Sequence, residues 1–289
     1  SLVASSYGIK SYYCETNPFM QQVIEAKIND VKFLRDSKIG SSVLERLLYR
    51  LENYNYQLQL DEAKWDGFEK FFDSDVLFQL QEMKRFVDTI ENENSRNIAL
   101  ILLASVTVRA SKMIRRGDLR FAKDLEKKES DKDIVSNFIA KIKMAIQDIN
   151  SDECPTLAET ICLDADARNI DIENQIDCVI TSPPYLNGTN YIRNTKLELK
   201  LSGHITTEKD LPEFHSKGII AGINNVSKRK SDIPVLDVVA PYLNELEPIT
   251  YDKRIPIMVA GYFADMDKVI ERLSHAMKKN VFLALIPML

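Results

Sequence analysis

Residues 177–191 read DCVITSPPYLNGTNY, an apolar run that ends on Ser182, Pro183, Pro184 and Tyr185. Two successive prolines lack N–H donors and have a fixed φ, so the backbone can neither extend a ladder nor open an ordinary helix there. Their carbonyls can instead be held pointing at a ligand. Ser182 adds a further acceptor, and Tyr185 a flat face on which a base can stack. Methylation of an exocyclic amino group on a nucleobase asks for this set. The nitrogen lone pair of such a group is delocalised into the ring, so acceptors must draw on its N–H bonds to make it a nucleophile in the transition state.

Two carboxylates stand where a nucleotide-like cofactor would need them. Glu15 closes the short run IKSYYCE, and an acidic residue at a strand tip of a nucleotide-binding sheet commonly accepts hydrogen bonds from ribose hydroxyls. A Glu before a helix also complements the helix dipole, so Glu15 alone leaves both roles open. Asp166, in DADAR, follows the strand-like TICLD and could accept the exocyclic N–H of an adenine. It could equally be a turn-forming Asp.

The elements that must position these residues follow from periodicity. A short helix ends at Gly8, a strand runs through IKSYYCE, and TNPF opens the next helix. Over 31–154 the pattern turns helical. Val76, Leu80, Met83, Val87 and Ile90 recur at alternating steps of four and three, as do Ile139, Ile142, Ile146 and Ile149. The run IALILLASVTV at 98–108 falls short of the ~20 residues needed to cross a bilayer and reads as a core helix. The basic stretch RASKMIRRGDLRFAKDLEKKESDK reads as a solvated helix face balanced by nearby acids, or as a surface for phosphates. After NSDECPT the α/β pattern returns. IDCVITSPPY predicts a buried strand with a turn after it, and an amphipathic helix with Met266, Val269, Ile270, Leu273 and Met277 on one face leads into the strand NVFLALI. Strands alternating with helices predict a mostly parallel sheet covered on both faces, with ligands beyond the carboxyl ends of the strands, where TSPPY falls.

Composition excludes several classes. With 289 residues, 45% of them hydrophobic, the chain can bury a substantial core as one large domain or two smaller ones. A net charge of −5 argues against non-specific coating of nucleic acid and leaves a local basic face open. Cys14, Cys154, Cys162 and Cys178 form no CxxC pair, which predicts buried free thiols in a reducing, cytoplasmic setting. His204, His215 and His275 lack ligand spacing, so no metal site is expected. No secretory signal is visible, and the opening SLVASSYG without Met predicts either processing or one piece of something larger.

TSPPY after an apolar strand resembles the catalytic motif of amino-methylating DNA methyltransferases, and its serine resembles the cytosine 4-amino branch. YYCETNPFMQQVIEAK is similar to that family's second strand and following helix, and DADARNI to the segment that touches the adenine of S-adenosylmethionine. NGTNYIRNTKLELKLSG and VAGYFADMDKVIERL resemble the stretches after the catalytic loop. The resemblance covers residues 1–30 and 155–289, and it implies an α/β, Rossmann-like S-adenosylmethionine-dependent sheet with 31–154 as an all-helical insertion. It further implies that Ser182 and the Pro183 carbonyl accept the target amino protons, that Pro184 stiffens the turn and that Tyr185 stacks on the base. Glu15, Asn17, Phe19, Asp166 and Ala167 would form the cofactor site. Double-stranded DNA would be the partner, its target base flipped out of the duplex at a cost of about a few kcal/mol. A restriction nuclease could act beside the enzyme. Asn187, Tyr191 and Lys196 would be positioning groups or plain loop residues. Carbon-5 methylation is disfavoured, since Cys154, the one cysteine before a proline, lies in a linker-like segment.

The family's glycine-rich segment, DPFxGxGT, does not occur in the chain. Its small residues let the backbone approach the cofactor. The expectation is that the first strand and this loop lie upstream or on another chain, and that the isolated chain binds S-adenosylmethionine weakly. ELKLSG departs from the family by placing Lys and Ser where larger apolar residues are usual. The alternatives are an adenine-directed DNA or RNA amino-methyltransferase, or a non-catalytic or split nucleic-acid-binding subunit.

Overall fold

A computed structural model describes residues 2–37, 42–54, 65–151, 156–186, 190–223, 226 and 233–286. In chain order the described elements begin with α1 (Leu2–Ser6), β1 (Ser11–Cys14), and α2 (Pro18–Glu25), which passes through a wider turn at Ala26–Asp30 into α3 (Val31–Asp36). Then come α4 (Ser42–Glu52), α5 (Ser74–Asp88), α6 (Glu93–Ala110), β2 (Met113–Arg116), β3 (Asp118–Phe121) and α7 (Ile134–Asn150). The remainder comprises β4 (Thr160–Asp164), β5 (Ile176–Thr181), α8 (Tyr191–Asn194), α9 (Lys196–Leu201), α10 (Leu211–Lys217), α11 (Ala240–Leu246), α12 (Arg254–Ala276) and β6 (Met277–Leu285). The chain divides into two compact units. One holds Ser1–Tyr13, Asn17–Cys162 and Ile192–Leu211; the other holds Cys14–Thr16, Leu163–Tyr191 and Pro212–Leu289.

The first unit is built on α6. Asn92 caps its start by accepting the Ser95 N–H, and the apolar run behind it buries residues on several faces, among them Ile98, Leu100, Leu103, Ala104 and Val106. Against it pack α5, with Val76, Leu80, Met83 and Val87 fully enclosed, and α7, with Ile134, Phe138 and Ile142. α5 buries the stripe that its periodicity predicts, whereas α7 buries Ile142 and Ile149 of its predicted stripe, leaves Ile139 and Ile146 half-buried, and turns Ile134 and Phe138 inward instead.

The stretch expected to be wholly helical contains a hairpin. β2 and β3 pair antiparallel, Arg116 opposite Asp118, and Gly117 makes the turn at a φ of 71° that a side chain would strain. The physical reason is the buried Asn194. Its amide donates to the Gly117 carbonyl at 2.7 Å and accepts the Leu119 N–H at 2.6 Å, satisfying backbone that a helix would otherwise have to satisfy. The basic residues here are largely paired: Arg120 and Arg116 with Glu126, and Arg109 with Asp131.

α9, KLELKL, buries all six of its side chains, charged ones included. The Lys196 ammonium lies 4.0 Å from the centre of the Phe71 ring and donates to Glu208 at 2.6 Å. Lys200 lies over Phe68 and donates to the Thr206 carbonyl. The long aliphatic stems pack as apolar groups while their heads find an acceptor and a ring. That is why lysines stand where larger apolar residues were expected.

In the second unit β5 and β6 run parallel, Val179 opposite Leu283 and Ile180 opposite Ala284. α12 leads into β6, and a satellite cluster of Ile220, Val226 and Met258 packs beside it. Gly261 on α12 allows this contact, for a Cβ there would stand 2.7 Å from Ile220. The architecture is mixed α/β, yet the described strands form two-stranded pairs, β1 with β4, β2 with β3 and β5 with β6, so the sheet covered on both faces is not what is observed. β5 is not a buried strand either: Ile180 is 70% and Phe282 80% exposed, on one open face of the pair. A continuous apolar run marks both strand faces as apolar but carries no information on what covers them. For the same reason Cys178 and Cys162 are exposed and Cys14 half-buried, against the expectation of buried thiols; Cys154 lies outside the described residues.

Candidate active site

Ser182 stands directly after β5, in the turn its two prolines force. The Ile286 N–H donates to the Thr181 carbonyl at 2.9 Å, and the Ser182 hydroxyl donates to the Ile286 carbonyl at 3.1 Å, tying the turn to the end of β6. Ser182 Oγ also lies 2.8 Å from Tyr185 Oη. A serine hydroxyl has one proton and two lone pairs. With its proton on Ile286, Ser182 must accept from Tyr185, and one lone pair of Oγ remains on an exposed side chain. Pro183, Pro184 and Tyr185 are half-buried around it. Asn187 lies outside the described residues, and Tyr191, at the start of α8, is exposed.

Glu15 and Asp166 sit on two segments that are stitched together, for the Thr16 hydroxyl donates to the Ala165 carbonyl at 2.8 Å. Asp166 caps the short turn Ala167–Asn169 by accepting the Arg168 N–H, and its own N–H is held by Asp164. The Arg168 guanidinium grips the same carboxylate: Nη2 donates to Oδ2 at 2.6 Å, while Nε–H is shared between Oδ1 and Oδ2 at 2.9 and 3.0 Å. Nη1 reaches Asp265 of α12 at 2.7 Å, and Nη2 also donates to the Lys217 carbonyl at 3.0 Å. Asp166 foremost, and Asp265 with it, hold the Arg168 pKa above its ordinary value against the opposing effect of burial. Asp265 Oδ2 accepts the Ile220 N–H, so the triad also anchors the loop after α10.

Arg168 and Asp265 were not among the residues singled out from sequence. The Asp-x-Arg spacing of DADAR was a usable signal for the first. Nothing local marked the second, 97 positions away.

Asn17 and Phe19 lie in the first unit. Asn17 is buried, accepts the Phe19 N–H as the cap of α2 and donates to Thr195 at 2.7 Å. Phe19 is buried on α2. Lys196 is committed to Glu208 and Phe71 as described above. Among the described residues, no three His, Cys, Asp or Glu side chains converge as metal ligands, and no helix is long and apolar enough to cross a membrane.

No protein-family model matches the chain, and no solved structure does. Two curated proteins match it, the Type II methyltransferase M.AvaI of Nostoc sp. and that of Anabaena variabilis, each 26% identical over 314 aligned residues. The alignment takes in 96% of this chain and 63% of each relative, so the chain spans a little under two thirds of their length. The chain is a distant homologue of a type II methyltransferase.

Proposed function

We propose that this chain carries the catalytic turn of an S-adenosylmethionine-dependent DNA methyltransferase that acts on the exocyclic amino group of a flipped base, cytosine N4, within a restriction–modification pair. The carrying observation is Ser182, an exposed hydroxyl at the carboxyl end of β5 whose proton is spent on Ile286 and whose second lone pair is open. The lone pair accepts one target N–H and the Pro183 carbonyl the other. These acceptors would raise electron density on the amino nitrogen, which would take a methyl group from a sulfonium donor as the thioether leaves and would then give one of its protons to solvent. Tyr185 stacks on the base, held at its hydroxyl by Ser182. On this reading the parallel pair β5–β6 is part of a Rossmann-like sheet.

The acceptors present suit the adenosine half of the cofactor. Glu15 and Asp166 lie on segments joined by the Thr16–Ala165 bond, one to take sugar hydroxyls and the other an amino group. Arg168 fixes the Asp166 carboxylate, donating from its backbone N–H and Nε to Oδ1 and from Nε and Nη2 to Oδ2. When bound, S-adenosylmethionine supplies an electrophilic methyl on a sulfonium. Ala167 completes the cofactor side of this unit.

The test is transfer of labelled methyl to unmodified double-stranded DNA by the full reading frame that contains this chain, followed by nucleoside analysis. N4-methylcytosine supports the reading. N6-methyladenine keeps the chemistry and moves the base, whereas no transfer refutes it.

A further inference from the structure

The first unit contains a cleft of about 450 Å³ that none of the chemistry above uses. It is a slot between two helices, floored by β2. Phe19, Val23 and Lys27 recur every four residues along one wall, from α2 into the turn that follows it. Ala104, Ser105 and Val108 of α6 face it with small side chains. Ala104 and Ser105 leave room opposite the Phe19 ring for a flat ring, and the volume suits a small ligand.

Its charges are one-sided. Lys27, Arg109, Arg115 and Lys127 line it, with Glu198 as the one lining carboxylate. Lys127 Nζ donates to the Val108 and Arg109 carbonyls at the end of α6, which leaves a third N–H. Both bonds of Arg115 leave from Nη2, to the Asn194 carbonyl and to Glu198 Oε1, so Nε and Nη1 have no partner among the described residues. Lys27 is exposed and makes no ion pair among them. Such a rim recruits an anion.

Glu198 is 5% exposed, and its Oε2 is a buried acceptor with no hydrogen-bond partner among the described residues. An orphaned carboxylate oxygen costs free energy that a ligand N–H would return. We propose that this cleft binds a nucleotide whose base carries an amino group, the ring between α2 and α6, the amino group at Glu198 and the phosphate at Lys27, Arg115 and Lys127. The inference is independent of the methyl-transfer reading and goes beyond it.

Calorimetric titration of the chain with CMP, AMP, UMP, IMP and inorganic phosphate tests it without any catalytic readout. CMP or AMP is expected to bind with a Kd below about 1 mM, with UMP and IMP, which present a carbonyl in place of the amino group, weaker by about tenfold or more. Ser105→Trp, from an exposed position on the slot wall, and Lys27→Glu are expected to weaken CMP by about tenfold each without lowering the melting temperature. Glu198→Gln presents an amide N–H where the carboxylate presents oxygen, and is expected to reverse the preference toward UMP and IMP. A trinucleotide of dC binding more tightly than CMP would place the natural source in a polynucleotide, and weaker binding would place it in a free nucleotide; either order supports the site. Absence of binding by CMP and AMP at several millimolar overturns the proposal. So does binding that neither wall variant changes, or binding of phosphate alone as tight as that of CMP.

Discussion

Replacing Arg168 with Leu tests whether the Asp166–Arg168–Asp265 triad organises the cofactor side of the candidate site. The side chains of Arg168, Asp166 and Asp265 are 13%, 18% and 10% exposed, and the guanidinium bridges both carboxylates and the Lys217 carbonyl. Removing one member of a fully buried ion pair costs about 3–5 kcal/mol, because it strands an uncompensated charge. Residual exposure lets water screen part of that, which places the loss near the lower bound, about 3 kcal/mol. At roughly 2–4 °C per kcal/mol this lowers the melting temperature by about 6–12 °C. Calorimetry and urea unfolding both read the change. Arg168→Lys keeps the charge without the fork and is expected to lose about half as much. The double variant Arg168→Leu with Asp265→Leu should recover part of the single loss, since the stranded carboxylate goes with its partner. A single variant within about 0.5 kcal/mol of the parent, the usual range of surface changes, would show that the triad holds nothing.

Ser182→Ala should lower methyl transfer by about 100-fold or more, the usual loss for one charge-stabilising group in the transition state, with DNA affinity unchanged in a gel-shift assay. Tyr185→Phe keeps the stacking face and drops the bond to Ser182, so it should fall by less than Tyr185→Ala in the same assay. Asn194→Ala unsatisfies the Gly117 carbonyl and the Leu119 N–H at the hairpin and is expected to cost about 2–3 kcal/mol by urea unfolding. His204 and His215 are pushed below the ordinary histidine pKa by burial. The unfolded chain therefore binds more protons between that depressed value and about 6.5, so stability present above pH 6.5 is lost as pH falls through the window. Melting temperatures at pH 7.5 and 5.5 should show the drop, and His204→Gln together with His215→Gln should flatten it.

What could be read from the chain alone was what depends on near neighbours. The stripe of α5 is set by spacing within one helix and is buried as the spacing requires, and α7 buries Ile142 and Ile149 of its own while Ile139 and Ile146 stay half-buried. The turn at Ser182 is likewise local, because two prolines dictate it whatever lies around them. The hairpin at 113–121 was missed because MIRR shows no apolar alternation and that of DLRF spans only four residues; the group that makes them a hairpin is an asparagine about 75 positions later. α9 shows the same physics with the sign reversed. Lys196 reads as a positioning group or a plain loop residue and Lys200 as a departure from an apolar position, yet rings from the segment around Phe68 and Phe71 and acceptors near Thr206 and Glu208 bury both. Asp166 sits between the two cases. Its position at the end of β4 was legible, but its state was not, since Asp265 arrives from α12 to share its arginine. The arginine that grips Asp166 stands two positions away in DADAR, whereas the second carboxylate it holds comes from α12, so removing Arg168 breaks a local pair and a long-range one together.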